Sequence, residues 1–474
     1  MTVAVPAYAD TPHEKAGLAF FDKNLKKAKK TISTKLWSIV QDARKSAFHQ
    51  FAEEQARRTL MFVPDHKDAR EFLGYVKKKK EWVLDPAEAA KVKHMNTRNT
   101  SESMKSFNKR IDKWKERKAA VDSFIATKIA KVGDTCRAKG FEDQAKKAYR
   151  RALSLDRDND TARKGMGFQK VGKLWLSPAQ IAAVKQATEG AWVAEASPLE
   201  KALGTPLHKM ESPHFYLQDD NAKESLPAAI KGLEVLYAYY LADIGKDPTL
   251  DVFEGKKARF AVVSTQPLWE KWVDGFSNAP DKKWTKESNI YVDKKAFNAG
   301  TLRSETAEEV DTRDPLLHHA THMLNHVLWD ASRVAWIDEG LTYYYTVKIQ
   351  ETTRTHCVQR AGGGYGEGEA IGGNKDWNQS EFWRQYLRDL VKSKNDLELR
   401  TLLNRKLAVL ELPHTVKAWA LISWLMEKER DKFLTFMTEL KKGEAKQEDL
   451  LQKIFGKSVE DIDKAWRAYA ARAY

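Results

Sequence analysis

An internal repeat restricts how the first third of this 474-residue chain can fold. Residues 63–86 (VPDHKDAREFLGYVKKKKEWVLDP) and residues 156–178 (DRDNDTARKGMGFQKVGKLWLSP) align at an offset of 93. The matched positions include an acid, an Ala-Arg pair, a glycine and two aromatic residues: Asp65 with Asp158, Ala69 with Ala162, Arg70 with Arg163, Gly74 with Gly167, Tyr75 with Phe168 and Trp82 with Trp175. Each copy predicts a helix followed by a small hairpin. Because such repeats usually form stacked helical hairpins, residues 1–187 are predicted to be a helical-repeat region.

The segment before the second copy resembles a tetratricopeptide repeat. IAKVGDTCRAKGFEDQAKKAYRRALSLDRDN places Gly140, Ala145, Tyr149 and Ala152 at the small and aromatic packing positions. The resemblance implies a solenoid whose concave face binds a protein or peptide. The alternative is a helical platform with only a packing role. Residues 14–60 and 101–130 combine helical periodicity with many charges, as in long exposed hairpins or a coiled coil.

The composition describes a folded, basic protein of two to four domains. A hydrophobic share of 42% and 15 tryptophans are typical of folded chains, and the net charge is +15. Lysines recur along helical stretches among acids, which predicts solvated helix faces; an acidic partner or an anionic surface is the alternative. The sequence has no recognisable nucleic-acid-binding motif. It also has no apolar run near the ~20 residues that span a bilayer.

The sequence leaves the compartment open. Cys136 and Cys357 are the only cysteines and cannot form a disulfide framework. In the first residues, MTVAVPAYADTP, the Ala7-Tyr8-Ala9 triplet has the small-x-small form of a signal cleavage site. One interpretation is that the start lies inside a longer export signal, which would place the protein in the periplasm or outside the cell. The other is an ordinary frayed terminus of a cytoplasmic protein.

After Trp175 the pattern changes to alternating strands and helices. Strand-like runs at 214–218, 258–264 and 289–293 accompany a helix at 226–244, which predicts a small mixed α/β layer. From residue 314 onward the chain is again mostly helical. GGGYGEGEAIGG (362–373) follows no predicted strand and lacks the Lys-Ser/Thr of a phosphate loop, so we expect a mobile loop there.

Two histidines in DPLLHHATHMLNHVLW have the spacing of metal ligands. Asp314 is a suitable helix cap and Pro315 suits the first helical position, so a helix is predicted from Pro315 to about Trp329. His318 and His322 then lie one turn apart on one face, where two imidazoles can share a tetrahedral ion. A polar helix face without an ion is the alternative. His322 with His326 is a weaker pair of the same spacing.

A third ligand candidate follows in WIDEGLTYYY. Glu339 comes seventeen residues after His322, near the start of a predicted second helix. Antiparallel packing of the two helices would bring its carboxylate to the histidines. In H-E-x-x-H zinc peptidases the residue after the first histidine is the glutamate that serves as general base, and here that residue is His319. Neutral imidazole is a possible base in its own right, although its reach is shorter.

H-x-x-x-H followed by W-I-D-E-G-L resembles the gluzincin, or peptidase-MA-like, clan of zinc metallopeptidases. HFYL at 214–217 and ARFAVV at 258–263 fit the strands that precede the site in that clan, and FGKSVEDIDKAWRAY at 455–469 resembles the terminal helix of its bacterial members. The resemblance covers roughly residues 188–474. It implies zinc held by His318, His322 and Glu339. The replacement of Glu by His319 departs from the clan and argues against peptidase activity.

These observations predict an α+β, predominantly helical protein. The helical-repeat region (1–187) is followed by the α/β half (188–310) and the helical half (311–474) of a gluzincin-like domain. The function we favour is a catalytically impaired metallopeptidase homologue that binds a protein or an extended peptide against a sheet edge. One alternative is an active zinc metallopeptidase with a non-standard base. The other is a purely structural subunit of a larger assembly.

Overall fold

The computed structural model describes residues 12–79, 81–92, 102–153, 155–156, 158–171, 174–221, 223–303, 309–350, 380–407 and 410–473. The protein is mostly helical with a small mixed sheet, so the predicted α+β, predominantly helical class is confirmed at this level. The chain divides into two compact units, Met1–Trp175 and Leu176–Tyr474.

The first unit consists of helices and two short hairpins. Its helices are α1 (Pro12–Lys45), α2 (His49–Phe62), α3 (Lys67–Phe72), α4 (Pro86–Ala89), α5 (Met104–Arg137), α6 (Glu142–Leu153) and α7 (Asp160–Gly165). The hairpins pair β1 (Tyr75–Lys78) with β2 (Glu81–Leu84), and β3 (Gln169–Val171) with β4 (Leu174–Leu176). In α1, Phe21, Leu25, Ile32 and Leu36 are buried at spacings of four and seven residues. This spacing puts them on one face, which packs against α5 and α6.

The two repeat copies contain the same elements in the same order. α3 and α7 each follow a residue whose side chain caps the helix: His66 accepts a hydrogen bond from the N–H of Ala69, and Asn159 accepts one from Ala162. A hairpin follows each helix. Equivalent cations lie over equivalent rings in the two copies: Arg70 over Tyr75 at 4.4 Å, Arg163 over Phe168 at 4.9 Å, Lys77 over Trp82 at 5.7 Å and Lys170 over Trp175 at 5.5 Å.

The tetratricopeptide-like segment forms the hairpin of α5 and α6. Ala145, Tyr149 and Ala152 are fully buried where these helices pack, and the Tyr149 hydroxyl donates to Asp134 at 2.7 Å. The resemblance to tetratricopeptide repeats stays a prediction.

A six-stranded mixed sheet organises the first part of the second unit. Its strands are β5 (Ala191–Trp192), β6 (His208–Glu211), β7 (Phe215–Asp219), β8 (Ala258–Val263), β9 (Ile290–Asp293) and β10 (Asn298–Leu302), in the order β5-β6-β7-β8-β10-β9. β7, β8 and β10 are parallel, and the other pairs are antiparallel. The sequence of β8, ARFAVV, is mostly apolar because both faces of the strand are covered by other elements. β9 is an edge strand.

Helices cover both faces of this sheet and fill the rest of the unit. They are α8 (Pro178–Gln186), α9 (Pro198–Leu203), α10 (Leu226–Asp243), α11 (Gln266–Phe276), α12 (Lys282–Glu287), α13 (Glu309–Trp329), α14 (Ala335–Gln350), α15 (Ser380–Ser393), α16 (Leu399–Leu403), α17 (Leu412–Lys428), α18 (Arg430–Lys442), α19 (Gln447–Phe455) and α20 (Val459–Ala473). Short 3-10 helices lie at Lys223–Ser225 and Ala331–Arg333. Phe260 and Val262 of β8 face a core that includes α10 and α13, whereas Ala261 and Val263 face α9 and α11.

The structure corrects the predicted start of the metal-site helix. α13 begins at Glu309, so Pro315 lies inside the helix rather than at its first position. Proline lacks an N–H and therefore leaves the carbonyl of Asp311 without its usual intrahelical donor. The predicted end at Trp329 is confirmed.

Candidate metal centre

α13 presents two buried histidines on one face. His318 and His322 are one helical turn apart and 0% and 1% exposed, respectively. Their Nε2 atoms lie 3.2 Å apart. Two donors on one tetrahedral zinc ion, each with a bond of ~2.0–2.1 Å, are separated by about 3.3 Å. The two rings are therefore oriented as a pair of ligands.

α14 supplies the third residue. It packs against α13 and places Glu339 close to both rings, with one carboxylate oxygen 3.5 Å from Nε2 of His322 and the other 4.0 Å from Nε2 of His318. One ligand atom from each of the three residues lies within 4.8 Å of the other two. The three predicted ligands thus converge, and the group could hold a metal ion.

The surroundings of Glu339 favour a cation. The side chain is 0% exposed, and neither carboxylate oxygen has a hydrogen-bond partner among the described residues. Burial raises the pKa of Glu339 because the ionised form loses its hydration. A cation between the carboxylate and the two imidazoles would oppose this penalty, so the donor set fits a divalent metal ion.

A second carboxylate orients His322. Asp338 Oδ1 lies 2.9 Å from Nδ1 of His322, and Lys294, just after β9, pairs with Asp338 Oδ2. Burial opposes ionisation of Asp338, but the interactions with His322 and Lys294 outweigh it and lower the Asp338 pKa. A carboxylate at Nδ1 favours the tautomer in which Nε2 is an unprotonated acceptor, as a metal ligand must be.

Asn325 connects this carboxylate to the core. Its side-chain amide donates to both the backbone oxygen and Oδ1 of Asp338 at 3.0 Å. Its own Oδ1 accepts from the hydroxyl of Tyr240 at 2.8 Å, and that hydroxyl accepts from Trp329. Side chains of α10 and α13, together with Lys294 at the end of β9, therefore fix the orientation of Asp338.

These supporting residues were not among those predicted from the sequence. Asn325 could have been predicted from its position, because it lies three residues after His322 and seven after His318 on the same helical face. Asp338 is adjacent to the predicted ligand Glu339, but adjacency does not indicate which histidine it bonds. Nothing in the sequence pattern indicates Lys294, because its partner Asp338 is 44 residues away.

His319, at the position of the general base in H-E-x-x-H peptidases, is a neutral buried side chain. It is 0% exposed, and neither ring nitrogen has a hydrogen-bond partner within the described part of the chain. Burial, with the nearby charges of His322 and Lys294, lowers the pKa of His319 to about 3. A base with this pKa has little tendency to take a proton at neutral pH.

His326 does not join the three converging residues. Its Nδ1 lies 3.0 Å from the hydroxyl of Ser332 and 3.5 Å from the carboxylate of Asp330, just beyond the C-terminal end of α13. The weaker pairing of His322 with His326 is therefore not the arrangement found. Among the described residues, no other group of three histidine, cysteine or acidic side chains has the spacing of a metal site.

Several residues that the sequence singled out lie away from this site or outside the described residues. Cys136 is buried in the first unit, and burial raises its pKa. Cys357, the glycine-rich segment 362–373 and the first eleven residues lie outside the described residues. No helix in the described ranges is both long and apolar enough to cross a membrane.

No protein-family model matches the chain, and no curated protein matches it significantly in sequence. The resemblance to gluzincins therefore stays a prediction from the motif residues and their spacing.

Proposed function

We propose that the second unit is a gluzincin-like domain that binds zinc through His318, His322 and Glu339. The observation that carries this proposal is the convergence of two imidazole nitrogens and an unbonded carboxylate in one buried site. Two histidines and one glutamate are a common donor set for zinc, with a fourth position left open. The second-layer carboxylate on His322 supports the same assignment.

We propose further that the protein is a catalytically impaired metallopeptidase homologue. Bound zinc would supply Lewis-acid chemistry, but hydrolysis also needs a proton acceptor beside the nucleophile. His319 replaces the carboxylate that performs this task in the gluzincin pattern. An imidazole base is normally held by a hydrogen bond to its second nitrogen, and His319 has no such bond to a described residue.

Binding of a protein or an extended peptide is the role that follows. β9 is at the end of the sheet order, and its outer edge pairs with no strand in the described ranges. Such an edge can accept an extended segment through backbone hydrogen bonds. Lys294, which follows β9 directly, reaches Asp338 and so lies next to the metal site. In this proposal the helical repeats of the first unit provide a second protein contact.

Metal analysis of the purified protein tests the proposal. We expect one zinc per chain after dialysis against metal-free buffer, and loss of that zinc in His322→Ala and Glu339→Gln. His326→Ala is the matched control, because it removes a histidine from the same helix outside the ligand group. Retention of zinc by His322→Ala, or no zinc in the native protein, would overturn the assignment and leave the purely structural subunit.

Incubation with unfolded casein tests the impairment. The zinc-loaded protein should leave the substrate intact over hours. Turnover that survives repurification and disappears in His322→Ala would make the protein an active metallopeptidase with a non-standard base.

A further inference from the structure

The excess positive charge of the protein lies entirely in its first unit. Residues 1–175 contain 40 lysines and arginines against 22 aspartates and glutamates, a net charge of +18. Residues 176–474 contain 41 against 44, a net charge of −3. The total of +15 therefore hides a strong asymmetry, and a field of this sign attracts anionic partners to the first unit.

Some cations of this unit are already paired with carboxylates. Five arginines form such pairs: Arg57 with Glu53, Arg58 with Asp122, Arg110 with Glu102, Arg117 with Asp42 and Arg137 with Glu142. Four lysines are paired as well: Lys67 with Glu71, Lys91 with Glu88, Lys118 with Asp122 and Lys164 with Asp160. Because the unit has 28 lysines and 12 arginines, the charge left for a partner is carried mainly by lysines.

Four of these lysines form a stripe on α1. Lys23, Lys26, Lys27 and Lys30 follow the i, i+3, i+4, i+7 pattern and are all exposed. Helical geometry places them opposite the buried residues Phe21, Leu25 and Ile32. None of the four ammonium groups forms an ion pair within the described residues. Like charges one turn apart repel one another, so this stripe does not stabilise the helix by itself.

Two further lysines lie on the side of α1 that faces α5. Lys35 of α1 and Lys128 of α5 lie over the ring of Phe124, at 5.5 Å and 5.4 Å from its centre. Phe124 is 38% exposed, and the two ammonium groups share its ring. Helical geometry puts Lys35 about 140° around α1 from Lys30, so this pair is not part of the stripe. We call the four lysines of the stripe the lysine face.

We propose that the lysine face docks the protein on a flat anionic lipid surface. Lysine ammoniums are hydrated point charges, which suit mobile headgroups without fixed spacing, whereas bidentate phosphate recognition uses arginine. The stripe runs along one side of a single helix, so a plane can touch its whole length. The stripe contains no aromatic residue, and the exposed ring of Phe124 on α5 is already engaged by two cations, so neither provides a platform for stacked bases. Each lysine near an anionic leaflet adds to the free energy of membrane binding.

Vesicle co-sedimentation with the full-length protein tests this proposal. We expect binding to vesicles of 70% phosphatidylcholine and 30% phosphatidylserine at 50 mM salt, and loss of binding by about 0.5 M salt because the charges are screened. Vesicles of phosphatidylcholine alone should not bind. The variant with Lys23, Lys26, Lys27 and Lys30 changed to Gln should partition at least tenfold less. Gln preserves helix propensity, so circular dichroism should report an unchanged helix content.

The matched control changes four exposed lysines of the second unit to Gln, namely Lys201, Lys246, Lys256 and Lys283. It removes the same total charge and should bind vesicles within twofold of the unaltered protein. Equal losses in the two variants, or binding to neutral vesicles, would overturn the proposal. Retention on a 20-base-pair DNA duplex without binding to anionic vesicles would overturn it in favour of a nucleic-acid surface. Zinc content enters neither measurement, so the outcome is independent of the proposed metal site.

Discussion

His322 shows how much a single residue depends on partners that are remote in sequence. One ring nitrogen faces the other candidate ligands, and the second faces Asp338. The spacing of His318, His322 and Glu339 was sufficient to predict that the three side chains converge, because helical periodicity and one helix–helix contact determine where they lie. Spacing could not predict that Lys294 and Asn325 hold Asp338, since those contacts depend on tertiary structure.

Asp338→Asn should weaken zinc binding by about 10–100-fold, the usual cost of removing a second-layer carboxylate from a ligand histidine. The amide can still accept a hydrogen bond from Nδ1 but no longer carries the charge that makes His322 a stronger donor to the metal. Competition with a chromophoric chelator measures the affinity. Asp330→Asn is the control, because the Asp330 side chain pairs with His326 and Arg333 and, within the described residues, with none of the three candidate ligands. Equal affinity of both variants would contradict the orienting role of Asp338.

His319→Glu should confer peptidase activity on the zinc-loaded protein. General-base catalysis typically contributes ~10²–10⁴-fold, and this substitution supplies the missing carboxylate. Hydrolysis of a quenched fluorescent casein, compared with the same variant carrying Glu339→Gln, measures the gain. Inactivity with zinc bound would mean that the site also lacks groups that stabilise the transition state or admit substrate, which would favour the binding role.

At the level of elements, the repeat offers a paired test of local strain. Gly74 and Gly167 follow α3 and α7 with φ of +84° and +83°, a backbone conformation that costs other residues about 1–2 kcal/mol. A Cβ on Gly74 would also lie 2.5 Å from backbone atoms of Ala89, whereas one on Gly167 meets nothing within 4 Å.

Gly74→Ala should therefore lower the free energy of unfolding more than Gly167→Ala, by an additional ~1–3 kcal/mol for the steric overlap. Urea unfolding followed by circular dichroism measures both variants against the unaltered protein. Equal destabilisation would show that the α4 segment moves away at no cost.

Elements were predicted best where their sequence signal was strong. Runs such as the apolar β8 and the helix α10 appear within one or two residues of their predicted bounds. The strands β5, β6 and β10 were missed, because AW, HKME and NAGTL lack a run of β-branched residues and are strands through pairing with neighbours. Pro315 was misleading, since proline is also tolerated within a helix at the cost of one hydrogen bond.

For the whole molecule, zinc should stabilise one unit and not the other. All three candidate ligands belong to Leu176–Tyr474, so binding contributes to the folded state of that unit alone. At free zinc of 100 times the dissociation constant, the gain is about 2.7 kcal/mol. Differential scanning calorimetry with zinc and with a chelator should show a shift in the transition of the second unit only, and Glu339→Gln should abolish it. A shift in both transitions would show that the units unfold together.

The overall composition concealed the electrostatic organisation of the chain. Total charge alone predicts only diffuse basicity; the asymmetry emerges when the charges are assigned to the two units on either side of the boundary near Trp175. The lysine stripe of α1 was present in the sequence, but its position opposite the buried face follows from knowing which residues of α1 are covered.

The bond between Lys294 and Asp338 has a thermodynamic consequence. It joins the end of the sheet edge β9 to the residue that orients His322, so the edge strand and the metal site share a mechanical link. A segment that pairs with β9 and changes this bond would change the affinity for the ion. By reciprocity, the ion would then change the affinity for the segment by the same factor. In the proposed function, the bound ion would then be an allosteric effector of peptide capture and release.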